Sequence, residues 1–266
     1  MLKIAWITDI HLNFLTLKQV SDFFRKIIDL SPDVILIGGD ISAAPDVNNY
    51  LRMFEAEIQV PIYFVLGNHD FYYGSIEAVR EEIKKSVEES DYLNWLPAAG
   101  IVKLTGSTCL IGHGSWADGR LGKYECSPVT LDDYSMIDEF KELNNVERFR
   151  KLNELGDEAG LFFQRILPEA LDRFHNVLVL THVPPFKESC WHEGQISDDN
   201  LLPHFSCKAV GEVLRSFMAA RPNRQMTVLC GHCHSSGEAQ ILSNLKVKTK
   251  GSSYGEYHSP EIIFIE

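Results

Sequence analysis

The chain has 266 residues, 45% hydrophobic and 23% charged, a balance that suits a globular protein able to bury a sizeable core. Its formal net charge of −12 leaves no clustered Lys and Arg to grip a nucleic-acid backbone, so nucleic acid is not expected among its partners. No segment approaches the ~20 apolar residues of a membrane span, and the opening MLKIAWITDIH lacks a signal-peptide pattern. No membrane partner is therefore expected, and cytoplasmic residence is the default.

The run KIAWIT is almost continuously apolar, as in a strand covered on both faces, and it stops at Asp9 and His11. TLKQVSDFFRKIIDL predicts a helix capped by Thr16, with Leu17, Val20, Phe24, Ile27 and Ile28 inward, ended by Ser31-Pro32. The strand DVILIGG leads to Asp40. A helix follows over 46–57, and Pro61 opens a third strand that stops at Asn68, His69 and Asp70. Ser75 caps a helix running to about Glu89, with Ile76, Val79, Ile83 and Val87 inside.

The segments IVKLTG and TCLIGHG read as paired strands, and 114–140 as a long loop with short helical pieces. Helical patterning returns over 145–173, before the strand NVLVLT delivers His182. Residues 184–206 are irregular. KAVGEVLRSFMAAR is a helix with Val210, Val213, Leu214 and Phe217 inward, and the strand MTVLCG leads to His232 and His234. EAQIL, LKVKTK and EIIFIE close the chain as strands. Without repeat, linker or low-complexity tract, a single domain over 1–266 is the simplest organisation.

Five apolar runs thus stop at hard oxygen or imidazole donors, and open α/β sheets collect ligands outside the carboxyl ends of their strands. Asp9 and His11, two residues apart at a strand end, can point to one side. Asp40 has two oxygens with which to bridge two ions, Asn68 offers a neutral oxygen, and His182, His232 and His234 add imidazoles. This mixture suits Mn, Fe, Zn or Ni better than Ca or Mg. Seven donors are too many for one tetrahedral ion, and two ions ~3.5–4 Å apart are what phosphoester hydrolases use. His113, in LIGHGSW, follows an apolar run and is expected at the edge of the site as a substrate contact. His175 is expected to be structural, and His192, His204 and His258 to be exposed in loops.

The blocks D-x-H (Asp9, His11), G-D (Gly39, Asp40), G-N-H-D (Gly67 to Asp70), H (His182) and G-H-x-H (Gly231 to His234) resemble, in order, those of the calcineurin-like metallophosphoesterase superfamily. The resemblance implies an α/β fold of two mixed β-sheets packed as a sandwich and flanked by helices. It implies that Asp9, His11, Asp40 and His234 hold one metal, and Asp40, Asn68, His182 and His232 the other. It makes His69, with Asn68, a phosphate contact, and His69 the general acid near the leaving group, oriented by Asp70. A metal-bridging hydroxide would attack phosphorus in a small phosphoester substrate. No arginine follows the second and third blocks, unlike the serine/threonine protein phosphatases. No tyrosine follows Asp40, unlike the purple acid phosphatases. The spacing looks most like the class of cyclic-nucleotide and glycerophosphodiester phosphodiesterases. A phosphomonoesterase and a non-catalytic metal-binding scaffold are the alternatives, the second disfavoured because His69 and Asp40 are both present.

The tract Cys230-Gly-His-Cys-His234 also matches C-x-x-C-H. Haem attachment needs export, and a redox dithiol needs a helix where SSGEAQIL reads as turn and strand. The metal reading accounts for both histidines and leaves Cys230 and Cys233 as core or near-site residues. All six cysteines are expected as free thiols.

Overall fold

In the computed structural model, which describes residues 1–266, the first half is a β-α-β series. Its members are β1 (Leu2–Ile7), α1 (Leu17–Leu30), β2 (Val34–Ile37), α2 (Ala44–Ile58), β3 (Ile62–Phe64), α3 (Ile76–Glu88) and β4 (Leu93–Trp95). Then come α4 (Leu96–Ala99), β5 (Val102–Lys103), β6 (Thr108–Gly112), α5 (Asp133–Met136), α6 (Asn145–Arg173) and β7 (Asn176–Leu180). The remainder is β8 (Trp191–His192), β9 (Gln195–Ile196), α7 (Leu202–Phe205), α8 (Lys208–Ala219), β10 (Gln225–Cys230), β11 (Gly237–Leu242), β12 (Leu245–Thr249) and β13 (Glu261–Ile265).

One sheet has the order β13-β1-β2-β3-β4, parallel except for β13. The other has the order β11-β12-β10-β7-β6-β5, with a parallel centre and antiparallel edges. Both are mixed, as expected. Strand side chains alternate between faces, and here each face meets a different apolar layer. Ile4 and Trp6, Val34 and Leu36, Leu178 and Leu180 pack between the sheets. Ala5 and Ile7, Ile35 and Ile37 turn to α1, α2 and α3. Val177 and Val179 turn to α6 and α8. This double burial is why the strands read as unbroken apolar runs, and the result is four layers, helix–sheet–sheet–helix.

The helices follow their caps. Thr16 closes a capping box with Gln19 at the start of α1, and the Ser75 hydroxyl accepts the Ala78 amide at the start of α3. The buried stripe of α1 is Val20, Phe23, Phe24 and Ile27. Leu17, 82% exposed, and Ile28, 44% exposed, lie outside it, contrary to the expectation. The buried stripe of α8 is Val210, Gly211, Leu214 and Met218, with Val213 and Phe217 at its margin. Strand β4 has three residues, too short to show a period, and the region read as irregular contains the small hairpin of β8 and β9. No helix is long and apolar enough to cross a membrane.

Candidate metal centre

Strands β1, β2, β3, β7 and β10 all end at the same edge, and the chain turns sharply there. Asp9, His11, Asp40, His232 and His234 adopt positive φ (51°, 44°, 50°, 70° and 60°), a region that disfavours any residue with a Cβ. Such strain persists only where surrounding contacts hold it, and it gathers at functional sites. Two glycines make room. A Cβ on Gly67 would stand 2.1 Å from Asp40 Oδ1, and one on Gly231 would stand 1.9 Å from Asp9 Oδ2.

Asp9 is fully buried. It accepts the Thr8 hydroxyl at 2.6 Å and the His232 amide at 2.9 Å. His234 Nε2 lies 3.6 Å from Asp9 Oδ1 and 3.4 Å from His11 Nε2, which is 3.8 Å from Asp40 Oδ2. The donor atoms of Asp9, His11, Asp40 and His234 fall within 4.8 Å of one another and could hold a metal ion. Donors each ~2.1 Å from an ion stand about 3 Å apart around it, and these separations are close to that.

A second group adjoins the first through Asp40. His182 Nδ1 lies 2.9 Å from the Gly38 carbonyl and His232 Nε2 lies 3.0 Å from the His204 carbonyl. A carbonyl only accepts, so these nitrogens carry the protons and the opposite ones are the donors to a metal. Those opposite nitrogens, His182 Nε2 and His232 Nδ1, meet Asn68 Oδ1 at 3.1 and 3.0 Å, and His182 Nε2 is 3.3 Å from Asp40 Oδ1. In neutral rings, lone pairs converge on lone pairs, an arrangement that a cation reconciles.

The electrostatics agree. Burial pushes His11 and His232 down to about 3, which keeps them neutral, as a metal-binding imidazole must be. Burial also opposes charge on His182, yet Asp40 and Asp9 outweigh it and raise this ring to about 10. The point that His182 Nε2 faces therefore attracts positive charge strongly enough to take up a proton. Burial raises the Asp40 carboxyl, but the facing His182, His69 and His11 rings overcome this and hold it well below its usual range.

His69 stands beside both groups. Its amide donates to Asp40 Oδ1 at 2.9 Å, its ring stacks on Tyr72 at 4.1 Å, and Nε2 lies 3.3 Å from the Tyr254 hydroxyl. A cavity of about 280 Å³ opens over it, lined also by Asn68, His232, His234, Asp133 and Tyr254. A larger cavity of about 780 Å³ lies where β13 faces β10 and β12 and holds none of the site residues.

Two expected site residues are used otherwise. Asp70 does not orient His69: its Oδ1 accepts the Ile41 and Ser42 amides at 2.8 and 2.9 Å, and its Oδ2 accepts the Gly67 amide at 2.8 Å. It ties the turn after β2 to the turn after β3. Replacing Asp70 with alanine strips three amides of their acceptor, each worth ~1–3 kcal/mol when buried, so unfolding by denaturant should show a loss of at least ~3 kcal/mol. An unchanged midpoint would show that the turns hold without it. His113 does not join the site. Its Nδ1 accepts the Ser115 amide at 3.0 Å, Nε2 faces Glu158 of α6 at 3.8 Å, and the ring packs on Phe162.

Other residues reach the site without a sequence signal. Asp133 opens the four-residue α5 and Tyr254 sits in a turn, both too short to show a period. His204, expected to be exposed, is buried, with Nδ1 2.6 Å from the Tyr134 hydroxyl, and its carbonyl fixes the His232 ring. His192 is half-buried in β8, its Nδ1 3.1 Å from the Cys233 carbonyl.

A two-sheet sandwich whose strand ends bring carboxylates and imidazoles together defines a class, the metal-dependent phosphoester hydrolases. Residues 2–236 match the model of the calcineurin-like phosphoesterase family, and the chain belongs to that family, which is dinuclear and metal-dependent. Among solved structures, phosphopantetheinyl hydrolase from Mycobacterium tuberculosis superposes with a TM-score of 0.66 at 14% identity, covering 94% of this chain and 89% of that one. A dimetal phosphatase from Danio rerio superposes with a TM-score of 0.58 at 15% identity, covering 94% of this chain and 87% of that one. At these identities the likeness is one of fold. No curated protein matches the sequence.

Proposed function

We propose that the chain is a phosphodiesterase acting on a small-molecule or nucleotide diester with two transition-metal ions. Asp9, His11, Asp40 and His234 would hold one ion and Asp40, Asn68, His182 and His232 the other, with Asp40 shared between the two groups. The oxygen and nitrogen donors suit Mn, Fe, Zn or Ni. Such a pair, when bound, acidifies a water and neutralises charge on phosphoryl oxygens. His69 contacts the phosphoryl group and protonates the leaving oxygen from the cavity wall, where the Tyr72 ring and the Tyr254 hydroxyl fix its orientation.

One observation carries the preference for a diester: no lysine or arginine lines the cavity. Arg80 is engaged by Glu158 at 2.8 Å, and Arg120 by Asp157 at 2.7 Å and Asp118 at 3.3 Å. Asp132 and Asp133 line the cavity instead. A monoester dianion carries a second charge that an arginine fork would ordinarily meet, and a diester does not. Under matched Mn²⁺ and pH, bis-p-nitrophenyl phosphate should be cleaved at least as efficiently as p-nitrophenyl phosphate. A monoester advantage above about tenfold in kcat/KM would overturn the preference.

We also read residues 1–266 as one domain working in the cytoplasm. In support, β13 pairs with β1, and all six cysteines are free thiols, including Cys190 and Cys233 with their sulfurs 3.4 Å apart.

A further inference from the structure

The two ends of an asparagine amide are nearly the same size, so its hydrogen-bond partners decide which end faces where. At Asn68 this choice has consequences. Oδ1 turned to His182 and His232 offers a cation a lone pair, whereas Nδ2 turned there would offer it two hydrogens. Asn68 Nδ2 donates to Asp133 Oδ1 at 2.8 Å, and Asp133 Oδ1 also accepts the Tyr72 hydroxyl at 2.6 Å. Asp133 is buried, 65 residues away in sequence, at the start of α5. Tyr72 in turn supports the His69 ring at 4.1 Å.

We propose that Asp133 is a positioning residue that locks the Asn68 amide with its oxygen toward the second ion, and so sets that ion's affinity. This rests on the ligand assignment above. An ionised carboxylate can only accept, so Asn68 must turn its Nδ2 to Asp133 and leave Oδ1 for the metal. The same carboxylate anchors the tyrosine beneath His69, which links the long loop before α6 to both the metal centre and the acid. The first group, Asp9, His11 and His234, has no contact with Asp133 among its hydrogen bonds and should not feel its loss.

The test is a Mn²⁺ titration of the metal-free, full-length protein by calorimetry, read as two binding steps, alongside thermal melts. Wild type should show two steps. D133A should weaken one step by roughly 10–100-fold, the range for losing the partner that orients a ligand, and leave the other unchanged. D133N keeps a carbonyl able to accept from Asn68 and Tyr72 but adds an NH2 that can also face Asn68, so it should recover part of the lost affinity. It also keeps the proposal testable if D133A does not fold. Equal weakening of both steps, no weakening in D133A, or D133N binding no better than D133A would overturn the role of Asp133. A single step in wild type would instead overturn the two-ion assignment, so the two failures are distinguishable.

Discussion

Replacing His69 with alanine is expected to leave both metal ions in place while turnover falls by roughly 10²–10⁴-fold, the usual contribution of a positioned general acid. The geometry separates the two effects. The His69 side chain is 14% exposed on the cavity wall, and its Nε2 is 4.0 Å from the nearest Asp40 oxygen. What ties His69 to the centre is its backbone amide on Asp40 Oδ1, and alanine keeps that bond. The deficit should be largest for an alkoxide leaving group, which needs a proton, and smallest for p-nitrophenolate, which does not. Equal loss on both leaving groups would remove His69 from proton transfer, and a fall in metal content would move it into the metal's coordination.

Replacing Asp40 with alanine should act on the ions themselves. Asp40 Oδ1 stands 3.3 Å from His182 Nε2 and Oδ2 stands 3.8 Å from His11 Nε2, so one carboxylate spans both donor groups. Elemental analysis of purified Asp40→Ala should find both occupancies reduced together, with activity lost in proportion. Loss of one ion alone would make Asp40 a ligand of that ion and not a bridge, and full retention would exclude it from both. The substitution also frees the His69 amide and leaves His182 without the charge that raises it to about 10. Its ring should then titrate lower, with Asp9 and the Gly38 carbonyl left to raise it.

The parts of this centre that could be read from sequence are those that strand physics dictates. A buried strand shows itself as an apolar run, and the first polar donors after it lie at the sheet edge, so all seven candidate ligands were legible. His113 also follows an apolar run, and the run alone does not say which way the next donor turns. Cys109 and Ile111 face the helix layer, and His113 continues their alternation toward α6, away from the edge. Asp70 misleads for a different reason. It adjoins His69 in sequence, but both sit in a 3₁₀ turn, where successive side chains diverge by about 120°. Asp133, Tyr254 and His204 were illegible because they arrive on four-residue helices or a turn whose course is set by tertiary packing, too short for a period to betray which way they face.

The proposed ligands belong to both sheets. Asp9, Asp40 and Asn68 follow strands of one, and His182, His232 and His234 follow strands of the other. No single half of the polypeptide holds a complete coordination set. A nascent chain would therefore pass the ribosome through most of its length without a finished cage, and ion capture would wait for β10 to dock beside β7. On that assignment, a product ending before His232 would lack ligands of both ions. With that ligand set the ions would act as a suture across the sandwich, and chelation should then loosen the seam between the sheets before it disturbs either sheet alone.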